Sequence, residues 1–549
     1  MPTTKLAKHG WKILFLGIAI FYLFGLGVLP LVGPDEPRYA EAAREMLARR
    51  DLITPTLGGI PWFEKPSLLY WMMTGSYRVL GVTEYAARLG PALCGLVTAA
   101  FVLWLGRTIE RATPAAESEA RTNLGEWSAL VFLSSLGAIA FSRSASFDVV
   151  LTMTLSGALS CFFVWVIRDR DGTKAPLRLL CAFYVFIGLS LLAKGLVGIV
   201  LPFGVIAAYF LIRREWPNRR FVFSLTWGLP IAVIVAASWY GPMFHRHGWT
   251  FVNQFIIQHH FARFLSNKYH HPQPFYFYLP VALLMLLPWT IVWIASLVAL
   301  RRWNWRGDGA RNRMLVFALV WLAVPLVFFS FSKSKIPGYV LPILPAASLL
   351  IGERVSCFLR AQRGDRVIRW TGLLLLIGAA VGVWYSVRQI GAPTSLVIVV
   401  ALSATLAAAF AIITPQHRRI SFLLFAAMPF LIGVCALRPA LSVANQDSVR
   451  DLVQAANARG YTSTPVFYLL CDDRTAEFYA GGRLMYEPTG EPARFEGAQD
   501  VAAAIHQKGG VGLVLIESRW EKQLTDYQAV QTEKIADNGR VTLFAVRVR

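Results

Sequence analysis

The stretch GPDEPRYAEAAREMLARRDLITPTLGGIPWFEKP, residues 33–66, decides how this chain is interpreted. It follows an apolar run, Ile13–Val32, that is long enough to cross a bilayer as a helix at about 1.5 Å per residue. Pro34 is expected to end that helix, Asp35 to cap a new one, and AEAAREMLARR has the spacing of an amphipathic helix on the membrane surface. The stretch therefore predicts a shaped loop with juxtamembrane helices between two membrane spans.

The charged residues of this loop are the first candidates for chemistry. Asp35 and Glu36 come where membrane meets water, and Arg38 and Tyr39 follow about one helical turn later. An acid beside a membrane cavity is costly, so a functional role is the default hypothesis for Asp35. Glu36 has a simpler alternative role, in which its charge complements the helix N-terminus. For the whole loop the alternative is an interfacial anchor with solvated charges.

The composition indicates a polytopic membrane protein rather than a soluble enzyme with one anchor. Hydrophobic residues make up 56% of the 549 residues, and apolar runs of about twenty residues recur along the chain. We predict about thirteen membrane-spanning helices. They lie near residues 11–32, 86–106, 126–142, 148–167, 177–193, 195–212, 221–240, 275–299, 314–332, 337–355, 370–387, 394–413 and 421–438.

The positive charge belongs to the membrane portion of the chain. The net charge is +22, yet residues 440–549 hold 12 Lys or Arg against 14 Asp or Glu, which leaves 42 against 18 for residues 1–439. Anionic lipids or phosphates are therefore expected partners, and nucleic acid is not. The six cysteines form no CxxC pair, so neither a disulfide framework nor a zinc ribbon is predicted.

The loops between the predicted spans alternate in charge, which predicts the topology. One set is short and rich in arginine, with Arg213, Arg302 and Arg418 as examples, and the positive-inside rule assigns it to the cytoplasm. The other set is rich in histidine, aromatic residues and proline and includes the Asp35 loop. Irregular polar segments near membrane depth are tolerated where they line a wet cavity, so we predict a cavity on the outer side.

The last part of the chain, residues 440–549, reads as a separate soluble α/β domain on the outer side. SVRDLVQAANARG and DVAAAIHQKG have helical periodicity, while TPVFYLL, GVGLVLIE and RVTLFAVRV read as strands. The domain has no GxGxxG motif and no nucleophile with an obvious base. No catalysis is assigned to it.

Further candidates lie at other outer turns. Asp148, in SRSASFD, is a second acid for the same cavity, with the neighbouring Arg143 as a substrate-binding residue, or alternatively a helix cap paired with Arg143. The outer lysines break the positive-inside pattern and so indicate anion binding, most simply of a phosphate, although lysines near helix ends also snorkel to the interface. These lysines are Lys65, Lys194, Lys333 and Lys335.

The loop from His245 to Pro272 holds six of the nine histidines of the chain. Its HxH and HH patterns match no tight zinc signature, so a divalent metal such as zinc is the lesser interpretation, with Glu64 and His245 as its ligands. The other interpretation is a hydrogen-bonding interfacial surface. Arg263 in the same loop is assigned to the phosphate-binding set.

These motifs together resemble the membrane-embedded glycosyltransferases that use polyprenyl-phosphate sugars and have the C-type glycosyltransferase (GT-C) fold. The resemblance rests on GPDEPRYAEAAREM, WFEKPSLLYW, SRSASFD and FSKSKIPGYVLPILP, and it is weak in residues 440–549. The sequence has EKPSL where EKPPL is commoner. Within the superfamily it is most similar to the bacterial aminoarabinose transferases of lipid A.

The resemblance implies an activity and a set of roles. The activity is transfer of 4-amino-4-deoxy-L-arabinose from undecaprenyl phosphate to a lipid A phosphate on the periplasmic face of the inner membrane, which gives resistance to polymyxin and other cationic peptides. Asp35 and Asp148 correspond to the catalytic acids, and Lys65 to a phosphate-contacting lysine. Glu36, Arg38, Tyr39, Lys333, Lys335 and Tyr339 correspond to binding positions. No cofactor is required.

Three other functions remain open. A sibling transferase would move another sugar, such as mannose to protein or galacturonate to lipid A. A flippase or transporter of lipid-linked sugars should have internal repeats and broken or charged mid-span helices, and neither is clear in the sequence. A non-enzymatic scaffold of the cell envelope is disfavoured by the set of acids and lysines.

Overall fold

The protein is described from a computed structural model that covers residues 3–113, 123–170, 175–262, 273–385 and 394–549. The chain divides into two compact units. The first consists of Met1–Phe24, Phe63–Leu69 and Gly90–Ala436, and the second of Gly25–Trp62, Tyr70–Leu89 and Leu437–Arg549. The loop that precedes Phe63 thus belongs to the same unit as the C-terminal residues, a grouping that the sequence did not indicate.

The first unit is helical, and the chain is a polytopic membrane protein. In the described residues, eight helices are long and apolar enough to cross a membrane, or up to ten if each of two bent pairs is one span. Three shorter apolar helices coincide with the other predicted spans, and the count of thirteen stays a prediction. The α-helices from the first span to the last are Thr3–Leu23, Glu84–Ala112, Leu124–Leu133, Leu136–Ser142, Phe147–Arg170, Leu177–Lys194, Val197–Arg213, Arg219–Phe251, Tyr278–Met285, Thr290–Val298, Ala310–Ser330, Leu344–Arg360, Asp365–Tyr385, Thr394–Ile413 and Arg418–Cys435.

Two of the predicted spans are bent rather than straight. Leu124–Leu133 and Leu136–Ser142 meet at 61°, and Phe275–Met285 and Thr290–Arg301 meet at 118°. At the first bend the hydroxyls of Ser134 and Ser135 donate to backbone carbonyls four residues earlier, a bond that commonly bends helices. The second break contains Pro288, which has no N–H to continue a helix.

The first helix ends at Leu23, not at Pro34 as expected. Gly25 follows with a φ of 70°, a left-handed conformation that costs glycine little. The Arg143 guanidinium donates to the carbonyls of Phe21, Tyr22 and Phe24, and so satisfies the C-terminal acceptors of the helix. The apolar residues after Leu23 are therefore not part of the first helix.

The second unit contains the predicted surface helix and a small hairpin. The helix, called here the loop helix, is Asp35–Arg49, and the hairpin pairs β1, Thr56–Leu57, with β2, Ile60–Pro61. Glu45 of the loop helix holds the hairpin, because its carboxylate accepts from the Thr56 hydroxyl at 2.5 Å and from the Gly59 N–H at 3.1 Å. Two further helices are Leu437–Gln446 and Leu68–Leu80, and only the first two residues of the latter lie outside this unit.

The C-terminal residues form the predicted α/β structure. Its strands are β3 Val466–Leu469, β4 Arg494–Phe495, β5 Val511–Glu517, β6 Val530–Asp537 and β7 Val541–Val548, and its helices are Arg450–Ala458, Thr475–Tyr479, Ala498–Gln507 and Glu521–Thr525. The strands form a mixed sheet of order β4-β3-β5-β7-β6, with β3 parallel to β4 and β5, and β7 antiparallel to β5 and β6. Apolar residues of β3 and β5 alternate between two buried clusters, which contain helix Arg450–Ala458 and helix Ala498–Gln507 respectively.

Candidate active site

Asp148 and Lys194 form the centre of the candidate site in the first unit. Asp148 lies in the first turn of the helix Phe147–Arg170, and Lys194 is the last residue of the helix Leu177–Lys194. The two side chains form an ion pair and are only 12% and 14% exposed. The Lys194 amine also lies 4.2 Å from the centroid of the Tyr339 ring, a cation–π contact. Three sequence candidates are thus brought together from three different segments.

The backbone at Gly338 fits closely against this ion pair. A Cβ atom built on Gly338 would lie 2.1 Å from Asp148 Oδ2 and 2.8 Å from the Phe141 ring. No real Cβ could occupy that position without displacing the carboxylate. Gly338 lies within the motif FSKSKIPGYVLPILP, but the sequence alone gives no reason to select it, because its role depends on contact with Asp148 from a distant segment.

Lys335 lies just before this glycine and is buried. Its amine donates to the backbone carbonyls of Ser332 at 2.5 Å and Gln273 at 3.0 Å. Burial lowers the pKa of Lys335 from its ordinary value. Among the residues that the structure describes, no carboxylate lies within 4 Å of this amine, whereas Lys194 is paired with Asp148. Lys333, by contrast, is exposed.

Lys65, the predicted cation of the FEKP segment, has the acidic side chain of Glu64 as its neighbour. The Lys65 amine lies 3.3 Å from Glu64 Oε1, and both side chains are about one-sixth exposed. Phe63 is buried against the rings of His247 and Phe251. The segment is therefore packed in place by its aromatic residue, next to two charged side chains.

The residues proposed as metal ligands, Glu64 and His245, do not make a metal centre by themselves. Zinc in proteins takes at least three protein ligands, and the described residues contain no group of three or more His, Cys, Asp or Glu that could hold a metal ion. His245 is exposed on the helix Arg219–Phe251. The metal assignment stays a prediction.

The first-loop motif lies in the second unit and is described by itself. Asp35 was expected to cap the loop helix, and this is wrong: Pro34 holds the N-cap position, and Asp35 pairs instead with Arg38 at 3.1 Å. Arg38 also donates to the Pro34 carbonyl at 2.7 Å and lies over the Trp62 ring at 5.6 Å. Tyr39 stacks on the same Trp62 ring at 6.1 Å.

Glu36 has a partner that sequence reasoning missed. Arg88, 4% exposed, donates to both oxygens of Glu36 at 3.1 and 2.8 Å and also to the carbonyls of Leu26, Leu29 and Pro30. Because these carbonyls lie in non-helical backbone, they would otherwise lack their hydrogen bonds. An arginine near the N-terminal end of an apolar span was the signal that could have identified Arg88.

The remaining candidates are accounted for separately. Arg143 binds the end of the first helix, as described above, while the pair formed by Asp148 is with Lys194. Arg263 lies outside the described residues. The four loop residues Asp35, Glu36, Arg38 and Tyr39 belong to the second unit, and the Asp148, Lys65 and Lys335 group belongs to the first.

The sequence is similar to one protein family and to several curated proteins. The sequence model of the family described as dolichyl-phosphate-mannose-protein mannosyltransferase matches residues 12–252. Curated relatives named undecaprenyl phosphate-alpha-4-amino-4-deoxy-L-arabinose arabinosyl transferase occur in Yersinia enterocolitica, 31% identical over 63% of this chain, and in Aeromonas salmonicida, 31% identical over 69%. The chain spans less than two thirds of these relatives, 59% and 65% of their lengths.

A solved structure decides the fold. The crystal structure of ArnT from Cupriavidus metallidurans bound to undecaprenyl phosphate superposes with a TM-score of 0.78 over 98% of both chains, at 24% sequence identity. The chain has the ArnT fold. The expected fold class, a helical polytopic membrane protein of the GT-C type with a C-terminal α/β region, is confirmed. The resemblance to the aminoarabinose transferases is confirmed as a similarity of sequence and of fold.

Proposed function

We propose that the protein transfers 4-amino-4-deoxy-L-arabinose from undecaprenyl phosphate to a phosphate of lipid A, on the periplasmic face of the bacterial inner membrane. The observation that carries the proposal is the buried Asp148–Lys194 pair, packed against Gly338 and Tyr339, in a chain with the ArnT fold. The relatives named as arabinosyl transferases support the choice of sugar and of lipid carrier.

The reaction breaks one carbon–oxygen bond and forms another. An oxygen of the acceptor phosphate attacks the anomeric carbon, and the bond from that carbon to the donor phosphate breaks, so undecaprenyl phosphate leaves with the bonding electron pair. Negative charge therefore accumulates on the leaving phosphate, and cations held near it lower the barrier. Lys335 and Lys65 supply such cations, with Lys333 and Arg263 as further candidates.

Lys335 is suited to hold the leaving phosphate. An ammonium group has three N–H donors, and the carbonyls of Ser332 and Gln273 fix the direction of two of them. A cation held in this way loses little orientational freedom when it binds a phosphate oxygen. Its burial also removes competing water, which strengthens the interaction.

The two acids have different tasks in this proposal. Asp148 holds Lys194 beside the Tyr339 ring and so fixes a positive charge in the site. Asp35 orients the acceptor or the ammonium of the sugar, or takes the remaining proton of the acceptor phosphate. The acceptor is already largely anionic, so the reaction requires no general base. No step requires a metal; zinc at Glu64 and His245 would need a further ligand and would serve to hold a phosphate.

The decisive experiment is mass spectrometry of lipid A from cells with and without the protein. We expect a mass increase of one aminoarabinose that depends on the protein and is lost in Asp35→Asn. Incubation of the purified protein with defined polyprenyl-phosphate sugars then shows which sugar, if any, is transferred. Transfer of mannose to protein or of galacturonate to lipid A would replace the proposal, and lipid translocation without transfer would favour a flippase.

The orientation of the chain is tested by thiol labelling. In a background without the native cysteines, single cysteines at Leu52, His245 and Arg519 should react with a membrane-impermeant reagent in cells with a permeabilised outer membrane. Cysteines at Trp216 and Arg306 should not react, because arginine-rich loops favour the cytoplasm. Labelling of positions 52 and 245 from opposite sides of the membrane would overturn the proposed topology.

A further inference from the structure

One hydroxyl group of the C-terminal α/β region contacts both ends of the first loop, which lies between the helices Thr3–Leu23 and Glu84–Ala112. The Tyr479 hydroxyl donates to Glu84 Oε1 at 3.1 Å and accepts from the backbone N–H of Leu31 at 2.7 Å. Leu31 comes just before the loop helix, and Glu84 begins the helix Glu84–Ala112 that leaves the loop. A residue 395 positions after Glu84 therefore joins the segment that enters the loop to the segment that leaves it.

Arg450 reinforces the same connection. Its guanidinium donates to the carbonyl of Val28 at 3.2 Å and lies 3.6 Å from Glu84 Oε1. Glu84 thus receives a hydroxyl from one C-terminal helix and a guanidinium from another. The hydrogen bonds to Leu31 and Val28 are made to backbone groups, which fixes the path of the chain rather than one side chain.

The short helix Thr475–Tyr479 also lies close to the charged residues of the loop helix. Its Glu477 is fully buried and paired with Arg474 at 3.0 Å. Burial raises the pKa of the Glu477 carboxyl, while the hydrogen bond and charge of Arg474 and the charge of Arg38 lower it. Arg38 is the residue that binds Asp35. Glu477 of this C-terminal helix thus lies within electrostatic range of Arg38, the immediate partner of the proposed catalytic acid.

The hairpin of the loop fits the same C-terminal region. A Cβ atom on Gly58 would lie 2.4 Å from the Tyr486 ring, so the hairpin backbone lies directly on that ring. Gly490 is in ordinary van der Waals contact with the hairpin, since its Cβ position lies 3.4 Å from the Ile60 side chain. Both ends of the loop and its hairpin are thus in contact with C-terminal residues.

We propose that Tyr479 is a positioning residue for the transfer reaction, through which the C-terminal α/β region holds the first loop in the conformation that presents Asp35. The expected loss of transfer activity rests on the proposed function, whereas the expected gain in freedom of the loop does not. Removing the hydroxyl leaves the Leu31 N–H and the Glu84 carboxylate without their bridge, so the segment from Val28 to Arg38 gains freedom to move.

The test compares Tyr479→Phe with Tyr461→Phe in the full-length protein. Tyr461 is a matched control, since its hydroxyl also donates to a glutamate, Glu533 at 3.1 Å, within the C-terminal region and away from the loop. We expect Tyr479→Phe to lower kcat by about tenfold or more, with the KM for the donor within about twofold, because small displacements of a catalytic group are costly. Tyr461→Phe should leave both constants unchanged.

Hydrogen exchange supplies a readout that does not depend on activity. Peptides from residues 28–38 should exchange faster in Tyr479→Phe than in the parent protein, while peptides from residues 511–517 should not. Unchanged exchange and unchanged kcat would overturn the proposal. If the parent protein transfers no sugar, the proposed function fails, and the exchange measurement still decides whether Tyr479 orders the loop.

A double-variant experiment separates positioning from general loss of structure. If Tyr479 acts through Glu84, Tyr479→Phe combined with Glu84→Ala should reduce kcat no more than the stronger single variant. Glu84→Gln, which keeps an acceptor oxygen, should retain more activity than Glu84→Ala. Additive losses in the double variant, or a parallel fall in melting temperature and activity for all three single variants, would contradict the proposed role.

Discussion

The two acids predicted to be catalytic lie in contrasting surroundings. The Asp148 side chain is 12% exposed, paired with Lys194 and closely approached by the Gly338 backbone. The Asp35 side chain is 53% exposed and paired with Arg38 one helical turn away. The position of Asp148 is thus determined by tertiary packing, whereas Asp35 depends on the path of the loop that carries it.

The difference indicates two ways of placing a carboxylate in one protein. A buried ion pair is held by its own low-dielectric surroundings, and loss of one partner leaves an uncompensated charge. A surface pair contributes little by itself, so the location of Asp35 must come from backbone anchors. Arg88 and Tyr479 provide these anchors, since both bind main-chain groups ahead of the loop helix.

The largest expected contrast is between substitutions of the two acids. Asp148→Ala should abolish transfer and also lower the free energy of unfolding by about 3–5 kcal/mol, because it removes the carboxylate that compensates the buried Lys194 charge. Asp35→Asn should abolish transfer while changing stability by no more than about 0.5 kcal/mol, as is usual for exposed positions. Thermal unfolding in detergent and a transfer assay measure the two effects.

A double variant provides the control for this contrast. Replacing both partners, Asp148→Ala with Lys194→Met, should recover most of the lost stability without recovering transfer, since no unpaired charge remains. If Asp35→Asn destabilised the protein as much as Asp148→Ala, the distinction between the two surroundings would be wrong. Full activity of Asp35→Asn would remove Asp35 from the mechanism.

The second prediction concerns the glycine beside Asp148. In Gly338→Ala the new methyl group must displace the carboxylate, so transfer should fall by about 10–100-fold, in line with the cost of small misplacements in an active site. The matched control is Gly382→Ala, at a helical glycine of the same unit whose Cβ position has no neighbour within 4 Å. It should keep full activity, and equal losses in both variants would point to a general sensitivity of the helices.

The sequence was sufficient for the fold class and for the selection of three candidate residues that lie together in the structure. Apolar runs predicted the helices of the membrane unit, and periodicity predicted the loop helix and the main C-terminal elements. The motifs selected Asp148 and Tyr339, and the charge pattern of the loops selected Lys194; the structure brings the three into contact although they come from distant segments. Short motifs succeed here because each residue lies at the end of a helix, where its approximate depth is fixed by the span.

Other features could not be predicted because they depend on contacts between distant segments. Nothing local to Arg88 reveals that it binds three carbonyls of the preceding segment, and nothing local to Tyr479 reveals that it bridges Leu31 and Glu84. The expected cap at Asp35 failed for a related reason. The side chain had two possible partners, the helix N–H groups and Arg38, and the sequence cannot rank them.

A third prediction concerns Lys65, which is intermediate in exposure between the two acids. Lys65→Ala should raise the KM for the donor lipid by about tenfold with a smaller change in kcat, because one charge-assisted hydrogen bond to a phosphate is lost. Lys12→Ala, at an exposed lysine of the first helix, should leave the KM unchanged. A rise confined to the acceptor KM would reverse the assignment of Lys65.

The smallest expected effect concerns Glu41, a buried acid on the loop helix. It tests whether burial, rather than the neighbouring arginine, determines the pKa of a carboxyl group in this helix. Burial raises the pKa of Glu41 to about 7, although Arg44 donates two hydrogen bonds to it at 2.6 Å. Between about pH 4.5 and 7 the Glu41 carboxyl therefore holds its proton in the folded state but has lost it in the unfolded state, where its pKa has the ordinary value of 4.5.

This part of the stability is present below about pH 4.5 and is lost as the pH rises towards 7, with a slope of at most about 1.4 kcal/mol per pH unit. Glu41→Gln cannot ionise, so the difference in melting temperature between the two proteins should change in favour of the variant as the pH rises from 5 to 7. If that difference did not depend on pH, the ion pair with Arg44 would outweigh burial. Glu41 would then be a charged acid held by a neighbouring arginine.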